Sequence, residues 1–245
     1  MKRPRIAIPE PTSTDLAYNE RSWHQYAEAV EAVGGEAVKI PLSVPPAEVA
    51  RLASSCEGVL LPGSGADVNP EKYSQSRVPQ CAPDDPAREA VDELLMQDAA
   101  NLHKPLLGIC YGTQSWNVWR GGTLIQDIKT AVNHQPGREV REAHHVSVAD
   151  DSQLARITGE SDIAVNSSHH QALDQPGDGL AVVARSIDDG VIEAVEGTGE
   201  QFVIGVQWHP ERTFDSSPAS RAIFTAFVEA ASEWQPREIR ESVAR

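Results

Sequence analysis

The chain has 245 residues, of which 40% are hydrophobic, and it is long enough to bury the core of one large α/β domain or two small ones. Its formal net charge of -15 repels phosphate backbones and anionic membranes, which argues against nucleic acid and membranes as partners. No apolar run approaches the roughly 18 residues of a membrane span, and the run after the N-terminal basic residues is too short for a signal peptide, so we expect a cytoplasmic protein.

The first half of the chain alternates strands with helices. The segments "RIAI" (5–8), "EAVKIPL", "EGVLLPG" and "KPLLGI" have the pattern of buried strands. Between them, "ERSWHQYAEAVEAVGG", "PAEVARLASS" and residues 85–103 have helical spacing. Because strands separated by helices need crossover connections, this order predicts a parallel sheet.

The second half is richer in strands. The segments "EAHHVSVAD", "IAVNSSHHQAL", "LAVVARSIDD", "VIEAVEG" and "QFVIGVQWH" are predicted strands joined by short turns, and an amphipathic helix within "SSPASRAIFTAFVEAASEW" follows them. We expect a single three-layer α/β domain over 1–235 with a mainly parallel central sheet. Residues 236–245 are predicted to be a loose end or a short surface helix.

The three cysteines, Cys56, Cys81 and Cys110, are too few and too widely spaced for a disulfide framework. Cys56 is expected in the core and Cys81 on the surface. Cys110 differs, because it lies between Gly108 and Gly112 where an apolar run ends and helical spacing begins. This G-x-C-x-G pattern has the form of a nucleophile elbow, and the helix N-terminus favours the thiolate. The alternative is a small buried hydrophobic residue, the commonest role of cysteine.

A thiolate nucleophile needs a proton shuttle and a group that orients it. The segment "GVQWHPE" (205–211) offers His209 and Glu211 at the end of a predicted strand, two positions apart and therefore on the same side of an extended backbone. The alternative for this segment is a surface turn.

The Gly-rich segment "LLPGSGADVNPEKY" (60–73) follows another strand. Gly63 and Gly65 let backbone N–H groups approach a ligand closely, and one of them, together with the N–H of Tyr111, could hold a developing oxyanion. The alternative is an ordinary turn, since no phosphate-loop pattern is present.

The segments "GICYGTQSWNVWRGGTLIQD", "VNSSHHQ" and "GVQWHPE", in this order, resemble the class I glutamine amidotransferase-like superfamily, and within it the γ-glutamyl-γ-aminobutyrate hydrolase group. The resemblance covers about residues 5–232. It implies a flavodoxin-like three-layer fold, no cofactor and no metal. It implies a catalytic triad of Cys110, His209 and Glu211. It implies that the backbone N–H groups of Gly63 and Tyr111 hold the oxyanion. The residues that it implies for binding the glutamyl group are Gln114, Ser168, His169, His170 and Gln171.

One residue departs from the pattern of close bacterial members, which often carry Arg directly after the nucleophile where this chain has Tyr111. The departure leaves the triad intact and puts the preferred leaving group in doubt.

The pairs His144–His145 and His169–His170 suggest a rival use as metal ligands. Adjacent residues of a strand point to opposite faces, so each pair offers at most one ligand to a site. No H-E-x-x-H or C-x-x-C spacing is present, and a catalytic metal is not expected.

The sequence therefore favours a hydrolase that cleaves the γ-glutamyl amide of a small molecule through a thioester. The second hypothesis is a glutaminase subunit that delivers ammonia to a partner synthetase. The third is a non-enzymatic relative on the same fold. A homodimer is left open.

Overall fold

The structure is a computed structural model that describes residues 3–236, and its strands form one mixed sheet. The strands are β1 Arg5–Pro9, β2 Glu36–Ile40, β3 Gly58–Leu61, β4 Leu106–Ile109, β5 Leu124–Ile125, β6 His144–Val148, β7 Asp162–Val165, β8 Ala172–Leu173, β9 Leu180–Ser186, β10 Ile192–Gly197 and β11 Val203–Val206. The helices are α1 Leu16–Ala32, α2 Pro46–Ser54, α3 Pro86–Leu102, α4 Tyr111–Trp119, α5 Gln153–Thr158 and α6 Pro218–Glu233. None of the helices within residues 3–236 is long and apolar enough to cross a membrane.

The sheet has a parallel half and an antiparallel half. Its order is β2-β1-β3-β4-β11-β10-β9-β6-β7, and the pairs from β2 to β11 are parallel, whereas those from β11 to β7 are antiparallel. The carboxyl ends of β3, β4 and β11 meet at one edge, which is where open α/β sheets place their ligand sites. Gly63, Cys110 and His209 each follow one of these three strands.

Helices cover both faces of the sheet and bury a core on each. Ile6 and Ile8 of β1 pack on the side of α1 and α6, whereas Ala7 between them packs on the side of α2 and α3. This alternation follows from the two-residue period of a strand. The three-layer α/β class predicted from the sequence is confirmed.

Polar caps fix where the helices begin. The Asp15 side chain accepts from the N–H of Tyr18 at the start of α1, and Asp85 accepts from Arg88 at the start of α3. Asp85 also accepts from the Ser13 N–H and hydroxyl, so one buried carboxylate joins the loop before α1 to α3.

Two predictions need correction. The segment "IAVNSSHHQAL" is not one strand, because β7 ends at Val165 and the side chains of Asn166 and Ser167 donate to the backbone carbonyls of His209 and His134. Cys81 is buried rather than exposed, with its sulfur within reach of Arg77 and Gln171. The sequence analysis also missed β5 and α5, which are short. The predicted tail over 236–245 lies outside the described residues except for Pro236, and the domain assignment over 1–235 stays a prediction.

Candidate active site

Cys110 lies on the turn between β4 and α4 in a backbone conformation that L-residues rarely adopt. Its φ is 52° and its ψ is -110°, and its N–H donates to the Val206 carbonyl at 2.8 Å. Its own carbonyl accepts from the N–H groups of Thr113 and Gln114 in the first turn of α4. A strained residue of this kind persists only where the surroundings fix it, as in the predicted nucleophile elbow.

The glycines on either side of Cys110 allow this turn to pack closely. A Cβ on Gly112 would lie 2.0 Å from the Leu61 carbonyl oxygen of β3, and one on Gly108 would lie 3.0 Å from the Thr113 backbone. The distance at Gly112 excludes any side chain, and at Gly108 the Thr113 backbone would have to shift by a few tenths of an ångström, so glycine at these positions lets the start of α4 rest on β3 and β4.

His209 and Glu211 form a buried pair after β11. The His209 Nδ1 lies 2.7 Å from the Glu211 Oε1, and both side chains are almost completely buried. The backbone after His209 is not extended as the sequence predicted: Pro210–Arg212 forms a single 3-10 turn, and this turn brings the carboxylate to the ring. The pair can therefore exchange a proton at the free Nε2 while Nδ1–H is held by the carboxylate.

Asn166 clamps the backbone of His209, and the sequence analysis missed this residue. The His209 N–H donates to the Asn166 Oδ1 at 2.9 Å, and the Asn166 Nδ2 donates to the His209 carbonyl at 2.7 Å. Asn166 is buried in the irregular stretch after β7. It fixes the position from which the imidazole ring projects.

Gly63 lies close to both Cys110 and His209. A Cβ on Gly63 would lie 2.9 Å from the His209 Cε1, 3.1 Å from the Tyr26 hydroxyl oxygen and 3.6 Å from the Cys110 Cβ. The Gly63 N–H, a predicted oxyanion donor, donates to the Tyr26 hydroxyl at 3.1 Å. Tyr26, on α1, is thus a second residue of the site that the sequence analysis missed.

The electrostatics of the site favour a neutral thiol and a neutral imidazole. Burial raises the pKa of the Cys110 thiol to about 12, although the Arg212 guanidinium and the Tyr111 backbone N–H act in the opposite direction. Burial also lowers the pKa of His209 and outweighs the attraction of Glu211. Burial tends to raise the pKa of Glu211, yet its pairing with His209 leaves that pKa below the ordinary value. The helix N-terminus does not overcome desolvation of the thiol.

The Tyr111 side chain points away from the Cys110 side of the sheet. It is buried among the residues that pack against α3, and the Arg88 guanidinium lies 4.8 Å from the centre of its ring. Only the backbone of Tyr111 therefore faces the thiol. The Tyr111 side chain therefore does not fill the site.

The residues expected to hold a glutamyl group lie together beside α4. The Gln114 amide donates to the Gln171 carbonyl and to the Gln207 side chain, each at 3.1 Å, and so ties α4 to the segment 168–171. The His170 Nε2 lies 3.1 Å from the Asp67 carboxylate, which raises the pKa of His170. Ser168 and His170 are partly exposed, whereas the His169, Gln171 and Gln114 side chains are buried.

One histidine of each predicted pair turns into the interior. His144 and His169 approach the same buried carboxylate, Glu193, together with His134. The alternation argument applies to His144 and His145, which lie in β6, but not to His169 and His170, which lie between β7 and β8. No pattern in the sequence indicated that His144 and His169 would approach the same carboxylate.

A basic cleft borders the His209 segment. It has a volume of about 170 Å³ and is lined by Arg138, Arg141 and Arg212 together with Glu139. Arg141 also pairs with Asp215 at 3.2 Å, and Arg212 lies 3.5 Å from Glu211. Arg212 lies close enough to affect the Cys110 thiol, and Asn166 also lines the cleft. Such a concentration of arginines stands out in a chain with a net charge of -15.

The fold and this site define the chain as a class I glutamine amidotransferase-like protein. Over the whole fold it is similar to a solved structure from Thermoplasma acidophilum titled a "putative gmp synthase subunit a protein". The TM-score is 0.63 with 15% identity, and the match covers 95% of this chain and 96% of that one. The family model Peptidase C26 matches residues 10–211, and the chain belongs to that family.

Relatives with higher identity carry two kinds of name. The Mycobacterium tuberculosis protein "Putative glutamine amidotransferase Rv2859c" is 40% identical over 217 residues, which cover 87% of this chain and 68% of that protein. The Escherichia coli (strain K12) protein "Gamma-glutamyl-gamma-aminobutyrate hydrolase PuuD" is 30% identical over 217 residues, covering 84% of each. The names of these relatives thus include an amidotransferase and a γ-glutamyl hydrolase, the first two functions that the sequence suggests.

Proposed function

We propose that the protein is a cysteine hydrolase that cleaves the γ-glutamyl amide bond of a small γ-glutamyl compound, with Cys110, His209 and Glu211 as its triad. The observation that carries this proposal is the buried 2.7 Å His209–Glu211 pair, whose ring lies against the same glycine as Cys110. A nucleophile beside a base that a third group orients is the arrangement required for acyl transfer through a covalent intermediate.

The resting protonation states set the first step. Because the thiol is protonated and the imidazole neutral, His209 removes the proton from Cys110 as the sulfur attacks the amide carbon. The new C–S bond places negative charge on the amide oxygen. The N–H groups of Tyr111 and Gly63 receive this oxygen, and the Gly63 N–H exchanges its Tyr26 partner for it.

The remaining steps release both products. His209 returns its proton to the departing amine as the C–N bond breaks, which leaves a glutamyl thioester on Cys110. His209 then takes a proton from water, the hydroxyl attacks the thioester carbon, and glutamate leaves as the thiol is restored. Glu211 stays ionised throughout and stabilises the imidazolium whenever it forms.

We assign the basic cleft to the leaving group. A leaving amine that carries a carboxylate, as γ-aminobutyrate does, would be attracted by three arginines beside the His209 segment. The name of the Escherichia coli relative supports the same substrate. A role in polyamine (putrescine) breakdown is what the family resemblance implies, and it is part of this proposal. The three cysteines are free thiols, in keeping with a cytoplasmic enzyme. Whether the enzyme forms a homodimer stays an open prediction.

The second candidate is a glutaminase subunit, and the name of the Mycobacterium tuberculosis relative favours it. It would use the same chemistry on glutamine and pass ammonia to a partner synthetase. A hydrolase acts alone, whereas such a subunit gains most of its activity with its partner.

The experiment measures glutamate released by the purified chain from a panel of γ-glutamyl amines, γ-glutamyl amino acids and glutamine. We expect turnover of γ-glutamyl-γ-aminobutyrate without a partner, and a fall of more than about 10³-fold in Cys110→Ser and His209→Asn. Cys56→Ala is the matched control, because Cys56 is buried before β3, and its activity should stay within about twofold of the parent. Release of glutamate from glutamine alone, rising only with an added synthetase, would contradict the hydrolase.

A further inference from the structure

Three buried imidazoles surround the Glu193 carboxylate at the start of β10. The Glu193 Oε1 lies 3.1 Å from His144 Nε2, 3.4 Å from His134 Nδ1 and 3.5 Å from His169 Nε2. All four side chains are at least nine-tenths buried. They come from β6, from the loop before it, from the segment after β7 and from β10, so four separate parts of the chain meet here.

The outer nitrogens of two of these rings are already held. His134 Nε2–H donates to the Asp189 carboxylate at 2.9 Å, and His169 Nδ1–H donates to the Gln171 carbonyl at 2.9 Å. A histidine that binds a metal is held in this way, by a carboxylate or a backbone carbonyl on the nitrogen opposite the metal. The tautomer so fixed turns the lone pair of each ring toward Glu193.

The inner atoms of the cluster lack hydrogen-bond partners among the described residues. These atoms are His134 Nδ1, His169 Nε2 and Glu193 Oε2. Buried polar atoms without partners are costly, and two nitrogen lone pairs facing a carboxylate repel it. A bound cation would remove both penalties at once.

From this geometry we propose that Glu193, His134 and His144 form a binding site for a divalent transition metal of the zinc class, with His169 beside it at 3.5 Å from the Glu193 carboxylate. One ligand atom from each of the first three residues lies within 4.8 Å of the others. Two imidazole nitrogens and one carboxylate oxygen are ligands that Zn²⁺ accepts, with water as a fourth ligand in a tetrahedral site, whereas Mg²⁺ and Ca²⁺ prefer oxygen.

The metal would act as a positioning group and would not enter the reaction. His169 lies within the segment 168–171, whose Gln171 carbonyl is tied to Gln114 of α4. Gln207, just after β11, donates its N–H to the Glu193 carbonyl at 2.7 Å. A metal at Glu193 therefore fixes both this segment and the strand end that precedes His209.

In the competing arrangement, additional protons on the histidines supply the positive charge and no metal is bound. If His134 and His169 are each doubly protonated, their two positive charges balance Asp189 and Glu193, and every inner nitrogen becomes a donor. This arrangement binds no cation. The two alternatives are thus separated by metal binding alone, independently of whether the protein hydrolyses any γ-glutamyl compound.

The experiment titrates the full chain, stripped with a chelator and dialysed, with Co²⁺ as a spectroscopic probe and with Zn²⁺. We expect one equivalent of Co²⁺ to give visible d–d absorption, displaced by Zn²⁺, and Zn²⁺ to raise the melting temperature by several degrees. Glu193→Gln and His144→Asn should lose the absorption, and His145→Asn, its exposed neighbour, should keep it.

Two results would overturn the proposal. One is the absence of Co²⁺ absorption and of any Zn²⁺-dependent shift in melting temperature in the stripped parent protein, which needs no variant to fold. The other is full Co²⁺ absorption in a folded Glu193→Gln or His144→Asn variant. Circular dichroism of each variant before the titration establishes whether it is folded.

Discussion

Replacing Asn166 by Ala should weaken the fold and the chemistry together, because the substitution removes both ends of the clamp on His209. The His209 N–H and carbonyl lose buried partners at 2.9 Å and 2.7 Å. Each orphaned buried group costs about 1–3 kcal/mol. Water that enters the space left by the side chain would satisfy part of these two groups, so we expect the free energy of unfolding to fall by about 3 kcal/mol.

The clamp also fixes where the imidazole ring projects, so its loss should reduce kcat more than it raises KM. A misplacement of about 1 Å in a catalytic group can cost up to about 100-fold, and we expect a decrease in kcat of roughly 10- to 100-fold. Asn166→Asp keeps an acceptor for the His209 N–H but cannot donate to its carbonyl, and should fall between the parent and Asn166→Ala.

The assay combines urea unfolding with steady-state kinetics on the best γ-glutamyl substrate of the panel. Asn101→Ala, an exposed position of α3, is the matched control and should change the free energy of unfolding by less than about 0.5 kcal/mol. If Asn166→Ala matches this control in both stability and kcat, the clamp has no positioning role.

Three further predictions concern pH, packing and the cleft. His209 must be neutral, and burial lowers its pKa below the ordinary value of a histidine, while burial raises the pKa of Cys110 to about 12. We therefore expect kcat/KM to fall only on the acid side and to stay level from about pH 7 to 9; a basic limb starting near pH 7 would contradict this. Gly112→Ala should lower the free energy of unfolding, measured by urea denaturation, by about 3 kcal/mol, because the new Cβ would lie 2.0 Å from the Leu61 carbonyl oxygen. At Gly65 a Cβ has no neighbour within 4 Å, so Gly65→Ala should leave that free energy unchanged. Arg141→Gln should raise KM several-fold for leaving amines with a carboxylate and leave KM for neutral ones unchanged, and an equal rise for both would refute the assignment of the cleft.

Much of this architecture could be predicted from local patterns. The α1 and α6 helices have clear periodicity, α1, α3 and α6 all begin at side-chain caps, and β1, β3 and β4 are short apolar runs between turn residues. The turn at Cys110 was predictable because the two glycines around it follow from local sterics. These features depend on neighbours in the sequence.

The Asn166 clamp, the hydroxyl of Tyr26 and the cluster around Glu193 could not be predicted in this way. Asn166 and His209 are 43 positions apart, and Gly63 and Tyr26 are 37 apart. In each case one polar side chain makes the contact. Hydrophobic periodicity reports which residues are buried and not which distant group a polar side chain contacts, so the sequence pattern does not identify these residues. The stretch after β7 was wrongly predicted as strand because apolar residues stand on both sides of it in the sequence. The hydrogen bonds that Asn166 and Ser167 make to distant backbone carbonyls leave no mark in that pattern.

Because β10 and β11 are antiparallel, the hairpin between them lies at the edge of the sheet away from the carboxyl end of β11. We expect insertions to be tolerated better at that edge than at the edge that carries Cys110. The hairpin that joins β10 and β11, over residues 198–202, turns at the edge of the sheet opposite Cys110, and residues 198–200 are exposed there. A fluorescent label or an inserted peptide at Gly199 should therefore leave turnover intact, since exposed loop tips accept such additions. Reporter groups can be carried on that remote end while the opposite end performs the reaction.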